Sequence, residues 1–234
     1  MFVNYAHRGA STYYPENTLS AFYAGLTMGA NGIETDVHRT KDGVLVLFHD
    51  DTLDRVTDGQ GPISEYTYDQ LLGLTVRNGA YDRTDKIVSL EDFLKYFGWR
   101  ELTFAIELKQ DFIEKETIDL LNQYNLREKV ILTSFHFDNL ARAKAYAPEY
   151  RIGYLFGPKN TDDPVEKMRS IGGEQLCPRA DMLTREQVDA YHAMGFSVRA
   201  WGVKDEALMR HAVECGADGM TVNFPDRLTA LLEG

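Results

Sequence analysis

Two acidic residues alternate with apolar residues in a strand-like segment near the amino terminus. Residues 32–37 read Gly-Ile-Glu-Thr-Asp-Val, and side chains two positions apart on a β-strand lie on the same face. Glu34 and Asp36 therefore share one face, and Ile33, Thr35 and Val37 share the face on which covering helices would pack. Buried carboxylates are unfavourable unless a cation or a basic side chain neutralises them.

A second strand-like segment, residues 102–108, repeats this arrangement. It places Glu107 on the same face as the following Lys109. Sites rich in carboxylate oxygens suit Mg²⁺ or Ca²⁺ better than metals that prefer thiolates. We therefore predict a site for a divalent cation, Mg²⁺ or Ca²⁺, formed by Glu34, Asp36 and Glu107. The alternative is that these carboxylates form structural salt bridges with Lys109 and Arg8.

His7 ends another strand-like segment, residues 2–7, and is followed by Arg8 and Gly9. In α/β barrels, side chains at the carboxyl ends of the strands form the active site. Arginine suits bidentate contact with a phosphate, and Lys109 offers a second positive charge. Because histidine titrates near neutral pH, His7 and a second histidine, His49, are candidates for a general acid and base pair.

The argument for His49 depends on a predicted hairpin. Asp42-Gly43 is a strong signal for a two-residue turn between the second strand and the apolar run at residues 44–49. Such a turn pairs residues whose numbers sum to about 85, so Asp36 would lie opposite His49, with Cβ atoms ~5 Å apart. A register shift of one residue would turn His49 to the other face. Asp50 either orients the imidazole or belongs to a solvated turn.

Strand-like and helix-like segments alternate along nearly the whole chain, as a parallel sheet requires. The strand candidates are residues 2–7, 32–37, 102–108, 130–135, 151–156, 175–178, 197–201 and 219–224. The helix candidates lie near residues 18–29, 89–97, 112–124, 137–146, 163–171, 184–194, 204–215 and 225–232. Eight of each predict an α/β fold of the (β/α)8 TIM barrel type.

Residues 39–88 form too long a segment for an ordinary loop and contain an apolar run of their own. We predict a small insertion after the second barrel strand. The rest of the pattern has no linker-like change in composition, so residues 1–234 are predicted to form a single catalytic domain.

Composition limits the partners and the compartment. A formal net charge of −11 and the lack of a basic stripe argue against nucleic acid as a partner. The amino-terminal residues lack a secretory signal pattern, and charged residues interrupt every apolar stretch. Cys177 and Cys215 fit a reducing compartment. We expect a cytoplasmic chain without stable membrane association; the oligomeric state is left open.

Several short motifs occur in an order and spacing that together are highly specific. They are His7-Arg8-Gly9, Pro15-Glu16-Asn17-Thr18, Glu34-Thr35-Asp36-Val37, Thr40-Lys41-Asp42-Gly43, Phe48-His49-Asp50, Glu107-Leu108-Lys109, Ser134-Phe135, Trp201 and Gly216-Ala217-Asp218-Gly219. With these motifs the whole chain resembles the bacterial glycerophosphodiester phosphodiesterase family, whose fold is a (β/α)8 barrel.

The resemblance implies a role for each matched residue. His7 and His49 would be the general acid and base; Glu34, Asp36 and Glu107 the metal ligands; Arg8 and Lys109 the phosphate contacts. The implied reaction is metal-dependent hydrolysis of a small glycerophosphodiester to glycerol 3-phosphate and an alcohol such as choline or ethanolamine. The family pattern does not explain Arg199, which shares a strand face with Trp201.

Some alternatives remain. Trp201, at the end of the seventh barrel strand, either lines the substrate pocket or belongs to the barrel core. A lysophospholipid or another phosphodiester is an alternative substrate for the same site. An aldolase or isomerase barrel would use Lys109 to form a Schiff base, and a phosphate sensor would bind without turnover.

Overall fold

The computed structural model describes residues 2–160 and 163–234. The strands, in chain order, are β1 (Val3–His7), β2 (Gly32–Arg39), β3 (Leu45–Leu47), β4 (Val76–Asn78), β5 (Arg83–Asp85), β6 (Thr103–Leu108), β7 (Val130–Ser134), β8 (Arg151–Phe156), β9 (Gln175–Pro178), β10 (Ser197–Val203) and β11 (Gly219–Val222). The α-helices are α1 (Leu19–Thr27), α2 (Tyr68–Gly73), α3 (Leu90–Phe97), α4 (Glu114–Gln123), α5 (Phe137–Tyr146), α6 (Pro164–Ser170), α7 (Arg185–Ala193), α8 (Glu206–Glu214) and α9 (Pro225–Glu233).

Eight parallel strands close into a barrel. Their order is β1, β11, β10, β9, β8, β7, β6 and β2, and β1 also pairs with β2. A helix follows each barrel strand before the next barrel strand begins. The predicted (β/α)8 barrel is therefore confirmed.

Side chains alternate between the two faces of each barrel strand, and this alternation separates the helix-facing core from the barrel interior. Ile33 and Val37 of β2 are fully buried in the main apolar cluster, together with Ile106 and Leu108 of β6. These side chains pack outward against helices, and the aromatic Phe93 of α3 belongs to the same cluster. The intervening positions of β2 and β6 are left for the polar side chains that face inward.

Local capping explains where several helices begin and end. Ser89 accepts a hydrogen bond from the backbone N–H of Asp92 at 3.0 Å and begins α3. Thr184 begins α7 with a reciprocal capping box. Gly195 follows α7 with φ +90°, and Gly216 follows α8 with φ +86°, the left-handed conformation that favours glycine after a helix.

Residues 40–88 build a small structure beside the barrel strand β2. Strand β3 pairs antiparallel with β2, α2 follows, and β4 and β5 form a separate two-stranded sheet. This part has an apolar cluster of its own, which includes Val46, Phe48, Leu53, Ile63, Leu71, Val76 and Ile87. The cluster explains the apolar run that the sequence contains in this segment.

The predicted register of the β2–β3 hairpin is wrong by one residue. Val37 pairs with Leu47 and His38 with Val46, so paired numbers sum to 84. The turn has three residues, 41–43, because Thr40 N–H donates to Val44 O at 2.9 Å and Gly43 adopts φ +86°. A type I turn ending in a left-handed glycine is the usual three-residue alternative to the two-residue turn.

His49 consequently reaches the barrel mouth in a different way from the predicted one. The ladder ends after Leu47, and Phe48 N–H donates to Asp36 O at 3.1 Å. His49 is the first residue beyond this contact, where the strand alternation no longer decides the direction of the side chain. The buried His38 ring donates from Nε2 to His49 O at 3.3 Å and holds the chain there.

Candidate active site

Three carboxylates meet at the carboxyl end of the barrel. Asp36 of β2 is the register partner of Glu107 of β6, and Glu34 lies one alternation earlier on the same inward face. All three are buried, and each offers one oxygen atom within 4.8 Å of the others. Strand pairing and inward parity therefore create the acidic cluster predicted from the sequence.

The three carboxyl groups respond differently to this crowding. Burial, together with the charges of Asp36 and Glu107, raises the pKa of Glu34 well above its usual value. Burial and the charge of Asp36 likewise raise the pKa of Glu107. Burial also acts to raise the pKa of Asp36, but Arg8, with help from His49 and Lys109, outweighs it and lowers that pKa.

Two basic side chains lie against the cluster. Arg8 Nε lies 3.2 Å from Asp36 Oδ2, whereas Lys109 Nζ lies 3.0 Å from Glu107 Oε1 and 3.9 Å from Asp36 Oδ1. The salt bridges considered as the alternative from the sequence are thus present. Within residues 2–160 and 163–234, however, the buried Asp36 Oδ1 has no hydrogen-bond partner.

The donor set suits a hard divalent cation. It consists of carboxylate oxygens. Among the described residues, the cluster combines an unpartnered oxygen of Asp36 with a second carboxyl group, Glu34, whose pKa is raised by burial and by negative neighbours. A cation would remove both unfavourable features. These residues could therefore hold Mg²⁺ or Ca²⁺.

Asn17 fixes the orientation of Asp36. Its Nδ2 donates to Asp36 Oδ2 at 2.9 Å, while its Oδ1 accepts a hydrogen bond from Thr35 Oγ1 at 2.8 Å. Asn17 is buried and adopts φ +57°. The next residue, Thr18, caps α1 through its side chain. The Pro15–Thr18 motif therefore both caps a helix and supports the site.

His7 is held by a residue from the far end of the chain. Its Nδ1 lies 2.5 Å from Asn223 Oδ1, and its Nε2 lies 3.8 Å from Glu34 Oε2. An amide oxygen can only accept, so Nδ1 carries the proton and Nε2 is left with a lone pair. Burial in the pocket and the charge of Arg8 lower the pKa of His7, which favours the neutral ring.

His49 has a carboxylate partner instead. Its Nδ1 lies 2.6 Å from Asp50 Oδ1, and 32% of its side chain is exposed. A carboxylate that accepts a hydrogen bond from Nδ1 fixes the orientation of the imidazole ring. Asp50 thus orients the ring, which was one of the two alternatives left by the sequence.

A pocket of about 240 Å³ lies above the cluster. His7, Arg8, Glu34, His49 and Glu107 line it on one side, and Phe135, Leu155, Trp201 and Val203 add an apolar wall. Asp36 and Lys109 contact this group without lining the pocket themselves. The structure therefore gathers all eight predicted site residues, whose individual roles stay predictions.

Trp201 is part of the pocket wall and is half-buried. Its Nε1 donates to Phe156 O at 2.9 Å, and its ring packs edge-on against Phe135 with centroids 4.9 Å apart. These contacts hold the indole at the pocket rather than within the barrel core. Its contact with a substrate stays a prediction.

Arg199 lies below Trp201 on the inward face of β10 and is 1% exposed. Its guanidinium donates to Thr221 Oγ1 at 2.8 Å and to Gln175 Oε1 at 3.2 Å, and it lies 5.2 Å from the Tyr5 ring centroid. It also lines the pocket. This buried positive charge faces the acidic cluster from the opposite side of the barrel and acts to lower the pKa of Glu34.

Sequence reasoning missed two residues of the site, Asn223 and Arg55. Asn223 directly follows β11, and its place at the carboxyl end of a predicted barrel strand was a usable signal. Arg55 contacts both Glu16 and Asp50 from within residues 40–88. Its position in an irregular part of that segment gave no comparable signal.

Comparison with known proteins agrees with this geometry. The family described as "Glycerophosphoryl diester phosphodiesterase family" matches residues 7–227. The glycerophosphodiester phosphodiesterase of Caldanaerobacter subterraneus subsp. tengcongensis is 31% identical over 234 residues, covering 97% of this chain and 96% of that protein. A Bacillus altitudinis protein of the same name is 31% identical, covering 98% and 97%.

Solved structures extend the similarity to the whole barrel. An Oleispira antarctica phosphodiesterase, determined in complex with the product sn-glycerol-3-phosphate, is 27% identical with a TM-score of 0.87, covering 100% of this chain and 97% of the other. The glycerophosphodiester phosphodiesterase of Thermotoga maritima is 26% identical with a TM-score of 0.81, covering 99% of each chain. This chain therefore belongs to the glycerophosphoryl diester phosphodiesterase family.

Proposed function

We propose that this protein hydrolyses small glycerophosphodiesters to glycerol 3-phosphate and an alcohol, using a divalent cation and two histidines. The observation that carries the proposal is that His7 and His49 line one pocket with a buried carboxylate cluster. Membership of the family supports the reaction, and the product bound to the Oleispira antarctica protein supports the glycerol 3-phosphate half of the substrate.

Glu34, Asp36 and Glu107 are the proposed ligands of the cation. When bound, Mg²⁺ or Ca²⁺ would polarise the phosphate and lower the pKa of the attacking hydroxyl group. Arg8 and Lys109 extend positive charge from the cluster toward the pocket, as expected of groups that stabilise the charge developing on the phosphate oxygens.

The hydrogen bonds of the two histidines favour different roles. His7 is neutral with a free Nε2 lone pair, so it is the proposed base that takes a proton from the attacking hydroxyl group. His49 donates from Nδ1 to the Asp50 carboxylate, so it is the proposed acid that protonates the oxygen of the leaving alcohol. The attacking hydroxyl group belongs to the glycerol moiety, so this step releases the alcohol and forms a cyclic phosphate. Water then opens the ring: His49 takes a proton from the water and His7 returns its proton to the glycerol oxygen, which restores both histidines.

Pocket size favours a short substrate. A volume of about 240 Å³ is below the range of about 300–1,000 Å³ typical of sites for drug-sized ligands. The apolar wall formed by Phe135, Leu155 and Trp201 suits a small alcohol group but gives an acyl chain little enclosure. A lysophospholipid is therefore the second candidate substrate.

Two other readings of the sequence gain no support. A Schiff-base lysine needs a lowered pKa, whereas Glu107 and Asp36 outweigh burial and raise the pKa of Lys109. A sensor without turnover would not need two oriented imidazoles in one pocket.

We further propose that residues 1–234 act as one catalytic domain in the cytoplasm, with no stable membrane association and no nucleic acid partner. Both cysteines are buried free thiols, which supports a reducing compartment. Among the helices of residues 2–160 and 163–234, none has the length and apolar character to cross a bilayer.

The test is release of glycerol 3-phosphate from glycerophosphocholine by the purified protein. We expect turnover that stops in EDTA and returns with Mg²⁺ or Ca²⁺, and slower turnover of lysophosphatidylcholine. Full activity in EDTA would contradict the cation, faster turnover of the acylated substrate would reverse the order of the two substrates, and no release under any condition would contradict the proposed reaction.

A further inference from the structure

Arg55 forms a double ion pair at the edge of the candidate site. Its Nη1 and Nη2 donate to the two carboxylate oxygens of Glu16 at 2.9 and 2.7 Å. Its Nε and Nη2 donate to the two carboxylate oxygens of Asp50 at 2.5 and 3.1 Å. One guanidinium thus bridges two carboxylates, and Nη2 is shared between them.

Each of these carboxylates also forms a hydrogen bond with a residue that has a role in the proposed mechanism. Glu16 Oε1 also accepts from Arg8 Nη1 at 2.9 Å, and Asp50 Oδ1 also accepts from His49 Nδ1 at 2.6 Å. A continuous chain of charged hydrogen bonds therefore runs from the proposed phosphate contact, Arg8, through Arg55 to the proposed acid, His49.

We propose that Arg55 is a positioning residue that sets the orientation of His49 and Arg8 together, by bridging Asp50 and Glu16. The proposal rests on the proposed function, since it assigns the two ends of the bridge to one reaction. We call the five side chains Arg8, Glu16, Arg55, Asp50 and His49 the bridged set.

The chain path explains why such a bridge is needed. Glu16 lies in the connection between β1 and α1, whereas Asp50 lies beyond the end of the β2–β3 ladder. No backbone hydrogen bond between these two segments appears among residues 2–160 and 163–234. Arg55, itself from the segment 40–88, supplies the connection through side chains.

Charge and geometry favour arginine at this position. The planar guanidinium fork can form two hydrogen bonds with each of two carboxylates at once. A lysine ammonium group is a single point charge and cannot make both bidentate contacts. Partial burial acts to raise the pKa of Asp50, but hydrogen bonds from Arg55 and His49 outweigh it and lower that pKa to about 2. Asp50 is consequently an anion at neutral pH and a constant acceptor for the His49 ring.

Arg77 offers a matched control from the same segment. It forms one ion pair, to Asp58 at 3.5 Å, and 60% of its side chain is exposed, compared with 48% for Arg55. Neither Arg77 nor Asp58 contacts the bridged set through a hydrogen bond or an ion pair. Arg77→Ala therefore removes a surface ion pair without removing a bridge.

The first experiment compares Arg55→Ala, Arg55→Lys and Arg77→Ala in steady-state hydrolysis of glycerophosphocholine at saturating cation. We expect kcat to fall by about 10–100-fold in Arg55→Ala, the usual effect of removing a group that orients an active-site residue, with KM raised less than kcat is lowered. Arg55→Lys should recover only part of the loss, and Arg77→Ala should match the wild type. Wild-type kcat in either Arg55 variant would overturn the proposal.

Addition of guanidinium separates positioning from a general loss of stability. Because Arg55 is half-exposed, free guanidinium at low millimolar concentration should restore part of the kcat of Arg55→Ala, whereas urea at the same concentration should not. In the background Glu16→Gln/Asp50→Asn, Arg55→Ala should lower kcat less than twofold further. A full additional loss in that background would show that Arg55 acts by another route and would overturn the bridge.

A measurement without substrate keeps this proposal separate from the proposed function. The short His49–Asp50 hydrogen bond should give a downfield Nδ1–H proton resonance, assigned by its loss in His49→Asn. We expect it in the wild type and Arg77→Ala, and broadened or absent in Arg55→Ala. If the wild type hydrolyses no phosphodiester, this signal still tests the bridge; an unchanged signal in folded Arg55→Ala would refute it.

Discussion

The substitution Glu34→Gln should stabilise the protein in the absence of a cation and should abolish the activity that the wild type has with the cation bound. Glu34 is 3% exposed, and its pKa is raised by burial and by the negative charges of Asp36 and Glu107. Removing its charge relieves this repulsion in the absence of a cation. The same change removes an oxygen ligand that a cation would need.

The size of the effect follows from the separation of the carboxylates. Two full charges no more than 4.8 Å apart repel by at least about 3.5 kcal/mol at an effective dielectric constant of about 20. The raised pKa of Glu34 and the nearby Arg8 reduce this value, so we expect a gain of about 1–3 kcal/mol in the free energy of unfolding. For a chain of this length that corresponds to a rise of about 3–10 °C in Tm.

The effect should also depend on pH in a defined direction. The folded-state pKa of Glu34 lies above its unfolded value, so the associated stability is present below the unfolded value and is lost as the pH rises through the folded pKa. In EDTA the stabilisation of Glu34→Gln relative to the wild type should therefore grow with increasing pH. Bound cation should remove this dependence from the wild type.

The assay is thermal unfolding in EDTA and in Mg²⁺ or Ca²⁺, combined with glycerol 3-phosphate release. Glu114→Gln is a matched control, since Glu114 is 4% exposed but paired with Arg142 at 2.8 Å. Removing the charge of a buried carboxylate that has a basic partner destabilises the fold. The reasoning is refuted if Glu34→Gln lowers Tm in EDTA as Glu114→Gln does, or if the cation stabilises wild type and Glu34→Gln equally.

Four further substitutions test particular contacts. Asn223→Ala should lower kcat about 10–100-fold with little change in KM, because it removes the 2.5 Å partner of His7 Nδ1; an unchanged kcat would contradict this. Trp201→Ala should raise the KM for glycerophosphocholine about tenfold, as expected for losing one apolar wall of the pocket; steady-state kinetics in which kcat alone changes would count against a binding role. Gly43→Ala should cost about 1 kcal/mol of unfolding free energy, because Gly43 has a φ of +86° with open space around it. Gly9→Ala should cost several times more, because the added Cβ would lie 2.4 Å from the backbone of α1. Equal losses of unfolding free energy for the two variants in urea would contradict the steric argument.

The sequence alone was sufficient to predict the barrel and its acidic cluster. Helical and strand periodicities are local properties, so eight alternating pairs could be recognised without any knowledge of contacts. Strand parity placed Glu34 and Asp36 on one face, and parallel pairing of β2 with β6 brought Glu107 beside them, as expected. Regular backbone geometry determines these positions directly.

The tertiary structure decided how the two histidines are held. The turn at residues 41–43 has one residue more than predicted, so the hairpin register does not place His49; the chain path after β3 does. Asn223 lies 216 positions from His7. Arg55 bridges two loop segments that share no backbone hydrogen bond among the described residues. Such contacts depend on loop conformation and on side chains that meet after the barrel has closed, and neither leaves a periodic pattern in the sequence.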